Sequence, residues 1–170
     1  MPITEVALLP IKDRSLPLTS PLLYPHFVTL AKQQRAHSGY TLHFFQSASD
    51  PSLIILLTGW ESVEAHNEWI AGEENQALLR VFAPVMNVKD IYMVHLGIEP
   101  MDVWGHTKTL VYERLGGDEE AKTATKARWE AVGKDLEGKT ADLFELKGYE
   151  ASVEIAETNG KIVAKRVSFE

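Results

Sequence analysis

Cysteine is absent from all 170 residues. Disulfides, thiolate metal sites and cysteine nucleophiles are thereby excluded. Clustered positive charge is absent as well. The net charge is −7, with 17 basic against 24 acidic residues, and no basic stretch could track a phosphate backbone. Nucleic acid is therefore not expected as a partner. No apolar run approaches the ~20 residues of a bilayer span, so no membrane partner is expected. The opening "MPITEVALLPIK" is interrupted too early for a secretory leader, and a cytoplasmic location follows as the expectation. The six histidines show no HxH, HxxxH or HExxH spacing, so no metal site is expected. No P-loop or GxGxxG occurs; "RLGGDEE" has glycines but no lysine placed to meet phosphate.

What is present is the composition of a soluble globular protein, 45% hydrophobic and 24% charged. The length suits one ordinary domain or two small ones. "ITEVALLPI" reads as a strand, with Pro10 suggesting a sheet edge. "LLYPHFVTLAKQQRAHSG" carries apolar residues at helical spacing and stops at Gly39. "YTLHFFQSA" and "LIILLTGW" read as an antiparallel hairpin joined by the turn "SDPS". Ser62 caps a helix through "VEAHNEWIAG"; "EENQALLRVFAPV" is a second helical piece, and "KDIYMVHLGI" is a fourth strand. The order β-α-β-β-α-β up to about residue 98 is that of a ferredoxin-like unit.

After residue 98 the pattern restarts more faintly. "TKTLVYERL" reads as a strand, and "GGDEEAKTATKARWEAVGKDLEGK" as a helix capped by Asp118 with Trp129, Val132 and Leu136 on one stripe. "TADLFELKGYEASVEI" and "KIVAKRVSF" read as strands joined by a hairpin turn at Asn159 and Gly160. The expected fold class is α+β: residues 1–98 as one ferredoxin-like domain, residues 99–170 as a degenerate second copy, and the two sheets together forming an intrachain barrel. The edge strands make a homodimer the expected assembly.

The stretch "TGWESVEAHNEWI" resembles the antibiotic biosynthesis monooxygenase domain family of the dimeric α+β barrel superfamily. Trp60, Ser62, Glu64, Ala65, His66 and Trp69 carry that resemblance, which covers roughly residues 3 to 98. It implies a cavity between the sheet and the helices of a ferredoxin-like unit. It also implies cofactor-independent oxygen chemistry, with no prosthetic group, on a small aromatic or polyketide-type compound of secondary metabolism. The protein would deprotonate such a substrate, hold it, and stabilise its anion.

His66 and then His43 are the candidate bases, because an unperturbed imidazole titrates near neutrality. Trp69, Asn67, Tyr40, Phe45, Tyr92, His95 and Tyr24 are the candidate substrate-binding residues, an aromatic set with a few polar points. Each has an ordinary structural alternative as a helix-surface or core side chain. Successive helix residues lie ~100° apart, so His66 stands ~60° from Trp69. The expectation is that Trp69 faces the sheet while His66 sits on the rim or in solvent. Two other readings compete: a cyclase or isomerase on the same scaffold, and a non-catalytic ligand-binding or stress-related barrel. A cavity below about 300 Å³ without converging buried polar groups would favour the non-catalytic reading.

Overall fold

The computed structural model describes residues 1–115, 126–156 and 160–169. Among these, the first half contains β1 (Ile3–Pro10), α1 (Tyr24–Ser38), β2 (His43–Ser47), β3 (Leu53–Trp60), α2 (Val63–Ala71), α3 (Glu73–Phe82) and β4 (Tyr92–Leu96). The second half contains β5 (Thr109–Leu115), β6 (Trp129–Lys134), β7 (Leu143–Tyr149) and β8 (Lys161–Val167). No helix among the described residues is long and apolar enough to cross a membrane.

One antiparallel sheet of eight strands runs β4-β1-β3-β2-β8-β5-β7-β6. Each half repeats the same order, fourth strand, first, third, second, so the two halves are tandem ferredoxin-like sheets joined edge to edge by β2 and β8. The far edges approach as well. The Gly97 N–H donates to the Lys134 carbonyl at 3.2 Å, and the Leu136 N–H to the His95 carbonyl at 2.8 Å. The sheet is thus a nearly closed barrel made by one chain.

Period-two alternation decides which residues fill it. Val6, Phe45, Ile55, Leu57, Leu110 and Leu146 point into the barrel and are almost fully buried. Their neighbours Ala7, Phe44, Ile54 and Leu56 face outward and are covered by Phe27 and Leu30 of α1, Trp69 of α2 and Phe82 of α3. Each such side chain contributes roughly 1.5–3 kcal/mol by leaving water. Local signals set the helix limits. Ser62 accepts from the Ala65 N–H at the start of α2, and Gly39 adopts a left-handed φ of 79° at the end of α1.

Three sequence expectations are corrected. β1 is central, between β4 and β3, because β4 pairs only Thr4 to Leu8 and leaves Pro10 beyond its ladder. The stretch expected as a helix contains strand β6: Trp129 and Gly133 are buried, whereas Val132 and Leu136, expected on a buried stripe, are exposed. Asp118 lies outside the described residues. Finally, β7 and β8 do not form a hairpin. Strand β5 lies between them and pairs with both. Gly160 has φ 82°, and Asn159 lies outside the described residues.

Candidate functional site

The outward face of the first sheet carries two ionisable side chains in a mostly apolar field. Glu5 on β1 and His95 on β4 are directly opposed across the ladder. Both are buried, at 3% and 0% exposure. Helix α2 adds His66, helix α1 adds Gln34, and the end of β3 adds Trp60. The Glu5 Oε2 accepts from Trp60 Nε1–H at 2.6 Å and from Gln34 Nε2–H at 3.0 Å. His66 Nε2 stands 3.5 Å from the same oxygen. The His66 ring stacks on Trp60, with centroids 4.5 Å apart. Its Nδ1 is 2.6 Å from His95 Nε2, and His95 Nδ1 is 2.8 Å from Glu137 Oε2.

Glu137 comes from the second half of the chain. It sits in a turn after β6 that is organised by the Asp135 carboxylate, which accepts from the backbone N–H groups of Glu137, Lys139 and Thr140 at 3.0, 2.8 and 3.2 Å. The Lys139 ammonium completes the cluster 2.7 Å from Glu137.

Glu5, Gln34, His66 and Asn75 form the polar edge of a cavity of about 240 Å³ between the sheet and the helices. The remaining walls are apolar, among them Leu30, Leu56, Leu78, Phe82 and Met93. Burial pushes the Glu5 carboxyl up to about 7, against the opposing influence of the Trp60 hydrogen bond, the His95 charge and the Gln34 hydrogen bond. Burial likewise pushes His66 down to about 3, helped by the charge of His95 and opposed by that of Glu137. The group poised to gain or lose a proton near neutrality is therefore Glu5, with a neutral imidazole beside it.

The structure divides the candidate residues among several places. His66 is 3% exposed and lies in the core, not on the rim or in solvent. The buried stripe of α2 spans His66 and Trp69, and a stripe about 100° wide accommodates both. Trp69 is buried beneath His37 of α1, 4.6 Å between rings, and outside the cavity wall. Asn67 is exposed on the far side of α2. His95 joins His66 as described. Phe45 is fully buried inside the barrel, so it cannot line the outer cavity. Tyr92 faces away from His95 at the strand end and is 36% exposed, and Tyr24 packs on Phe169.

His43 points to the barrel side of the sheet and accepts from Arg166 Nη2–H at its Nδ1, 2.8 Å away. Burial and the Arg166 charge push it down to about 4. It lines, with Tyr40 and Trp104, a separate open depression of about 420 Å³. Among the described residues no group of three or more His, Asp or Glu side chains is placed to hold a metal ion.

Glu5, Gln34 and Glu137 were missed by sequence reasoning. The first two left a signal. Glu5 is the single charged residue at the Ile3, Glu5, Ala7, Leu9 positions of its strand, and Gln34 continues the stripe Phe27, Leu30 by one turn. Glu137 left none, because its turn was expected to be helix.

No family model matches the chain, and no curated protein matches it. Solved structures do. A protein named "putative monooxygenase" from Fusobacterium nucleatum is 11% identical, with a TM-score of 0.60 over 97% of this chain and 91% of that one. A "putative monooxygenase" from Lactobacillus acidophilus is also 11% identical, with a TM-score of 0.58 over 99% and 94%. A "putative chlorite dismutase" is 7% identical, with a TM-score of 0.55 over 98% and 96%. At these identities the likeness is one of fold, and it spans both halves of the barrel.

Proposed function

We propose that the chain is a monooxygenase-like protein of the antibiotic biosynthesis monooxygenase type, with its site at the cavity of residues 1–98 and residues 99–170 completing the barrel. The observation that carries this reading is Glu5, a buried carboxyl held near neutrality at the polar edge of an otherwise apolar cavity. Such a group can take a proton from an activated O–H or C–H inside an apolar-walled pocket. The carbanion that results can pass an electron to dioxygen; radical recombination gives a peroxide, and loss of water leaves a carbonyl. Overall CH₂ and O₂ become C=O and H₂O, with every electron supplied by the substrate. His66, neutral beside Glu5, orients the carboxyl.

The volume narrows the substrate. An apolar cavity of about 150 Å³ accepts benzene. A space of about 240 Å³ suits one substituted ring. The cavity is below the ~300 Å³ usual for ligand sites, but its polar groups converge, which supports a site over a filled core. A homodimer, if formed, would use surfaces away from the seam that β4 and β6 close within the chain.

Oxygen-electrode measurements with single-ring hydroquinones and phenols are the test. Uptake that falls by roughly two orders of magnitude or more in Glu5→Gln supports the reading. Uptake unchanged in Glu5→Gln, or absent with every such compound, removes it.

A further inference from the structure

We propose that Glu137, supplied by the second ferredoxin-like unit, is the outer end of a proton relay that runs Glu5–His66–His95–Glu137 and connects the buried Glu5 carboxyl to solvent. The inference rests on reading that cavity as the site, and its test is chosen to be separable from it.

Four groups from four elements lie in line: Glu5 on β1, His66 on α2, His95 on β4 and Glu137 on the turn after β6. The links measure 3.5, 2.6 and 2.8 Å. The two imidazoles are almost completely enclosed, whereas the Glu137 side chain is 21% exposed. The three inner side chains are thus buried, and the outer one meets solvent. The other charged groups facing the line are Lys139, which pairs with Glu137, and Asp135, which holds the turn.

The proton positions follow from the acceptors. In the state with both imidazoles neutral, Glu137 accepts, so His95 donates from Nδ1 and its Nε2 is bare. His66 must then donate from Nδ1, which leaves its Nε2 bare and facing Glu5. Transfer of the Glu5 O–H proton to His66 Nε2, of the His66 Nδ1 proton to His95 Nε2, and of the His95 Nδ1 proton to Glu137 moves one proton outward. Each ring ends in its other tautomer, no electrons move, and the reverse sequence restores the start. The downward shift of His66 favours concerted passage over a resting imidazolium. Glu5 to His66 is the longest link and is expected to be the slow one.

The test needs no substrate. Exchange of the His66 and His95 ring protons with water is measured by saturation transfer in ¹⁵N-labelled protein. Glu137→Ala should slow the His66 exchange by roughly a hundredfold, the low end of what a positioned proton acceptor contributes. Added formate should restore it, and Glu137→Asp should retain part of it. If Glu137→Ala fails to fold, Glu137→Gln serves: it keeps an acceptor for His95 but takes no proton, so the tautomers should persist while exchange slows. Wild-type exchange in these variants overturns the relay, as does a slowing that neither formate nor Glu137→Asp relieves. Slowed exchange rescued by formate, in a protein that consumes no oxygen with any phenol, establishes the relay and removes the oxygenase reading.

Discussion

His66 Nδ1 lies 2.6 Å from His95 Nε2, and the two rings stand perpendicular at 89°. That contact holds one proton. Two imidazolium ions would place N–H against N–H in a site almost without water, so the pair stays at least half neutral. Burial pushes His66 down and Glu5 up, so of these two groups it is the carboxyl that titrates near neutrality, the reverse of the assignment expected from unperturbed values.

Glu5 should leave a mark on the pH dependence of stability. Unfolded, it loses its proton near 4.5; folded, it keeps it to about 7. Between those values the folded state holds one proton more. The contribution of Glu5 is whole below pH 4.5 and is lost as pH rises to 7, by about 3 kcal/mol. His66 has the opposite sign: its folded value of about 3 lies below the ordinary 6.5, so its contribution is present above 6.5 and lost as pH falls. The two trends overlap, so subtraction isolates Glu5. Melting curves of wild type and Glu5→Gln should diverge steadily from pH 4.5 to 7 in favour of the variant. A constant difference across that range would show that Glu5 titrates normally.

His66→Ala should be destabilising. The ring is stacked on Trp60 and hydrogen-bonded to His95, so truncation opens a cavity and leaves a buried nitrogen without its partner. About 2–4 kcal/mol is expected. Asn67→Ala, one residue away but exposed, should stay within about 0.5 kcal/mol. Urea titration of both variants checks the contrast, and equal losses would mean that α2 packs by another face.

The first half of the fold was legible because local and global signals agree there. Ser62 caps where the apolar stripe begins, Gly39 stops where it ends, and the "SDPS" turn joins strands that do pair. In the second half they disagree. "KARWEAVGKDLEGK" is rich in Ala, Lys and Glu, good helix formers, yet Trp129 to Lys134 is a strand because tertiary packing outweighs propensity. Its indole lies over Gly148 on β7, and its Nε1–H donates to Thr107 at 2.8 Å. The pairing of β8 with β2 joins residues 117 to 123 positions apart, and its pairing with β5 joins residues 48 to 56 apart, relationships that no turn motif encodes. Glu137 reaches His95 only through that barrel closure.

The Trp129 platform can be tested directly. A Cβ on Gly148 would stand 2.0 Å from Trp129 Nε1, where no side chain fits. Gly148→Ala should displace the indole, break its bond to Thr107 and destabilise the protein by at least 1–3 kcal/mol, the usual scale of overpacking. Tryptophan fluorescence should report greater solvent exposure. A variant with wild-type fluorescence and stability would place Trp129 elsewhere and undo the β6–β7 register.

The cavity should bind a single-ring phenol before any chemistry is observed. Its walls are apolar, so a ring gains by leaving water, and its polar edge offers Glu5 and Gln34 to one hydroxyl. At a ligand concentration of about 100 times Kd, binding to the folded state alone adds about 2.7 kcal/mol. For a chain of this size that raises the melting temperature by roughly 5–10 °C. Ala7, a small residue in the cavity floor, is the place to block it. Ala7→Leu should occupy part of the space and weaken phenol binding tenfold or more, about 1.4 kcal/mol, while the protein stays folded. Glu5→Gln should leave the space open and weaken binding less, because Gln can still bond a hydroxyl. If Ala7→Leu binds phenols as tightly as wild type, the ligand sits elsewhere, and the open depression beside His43 and Arg166 becomes the place to look.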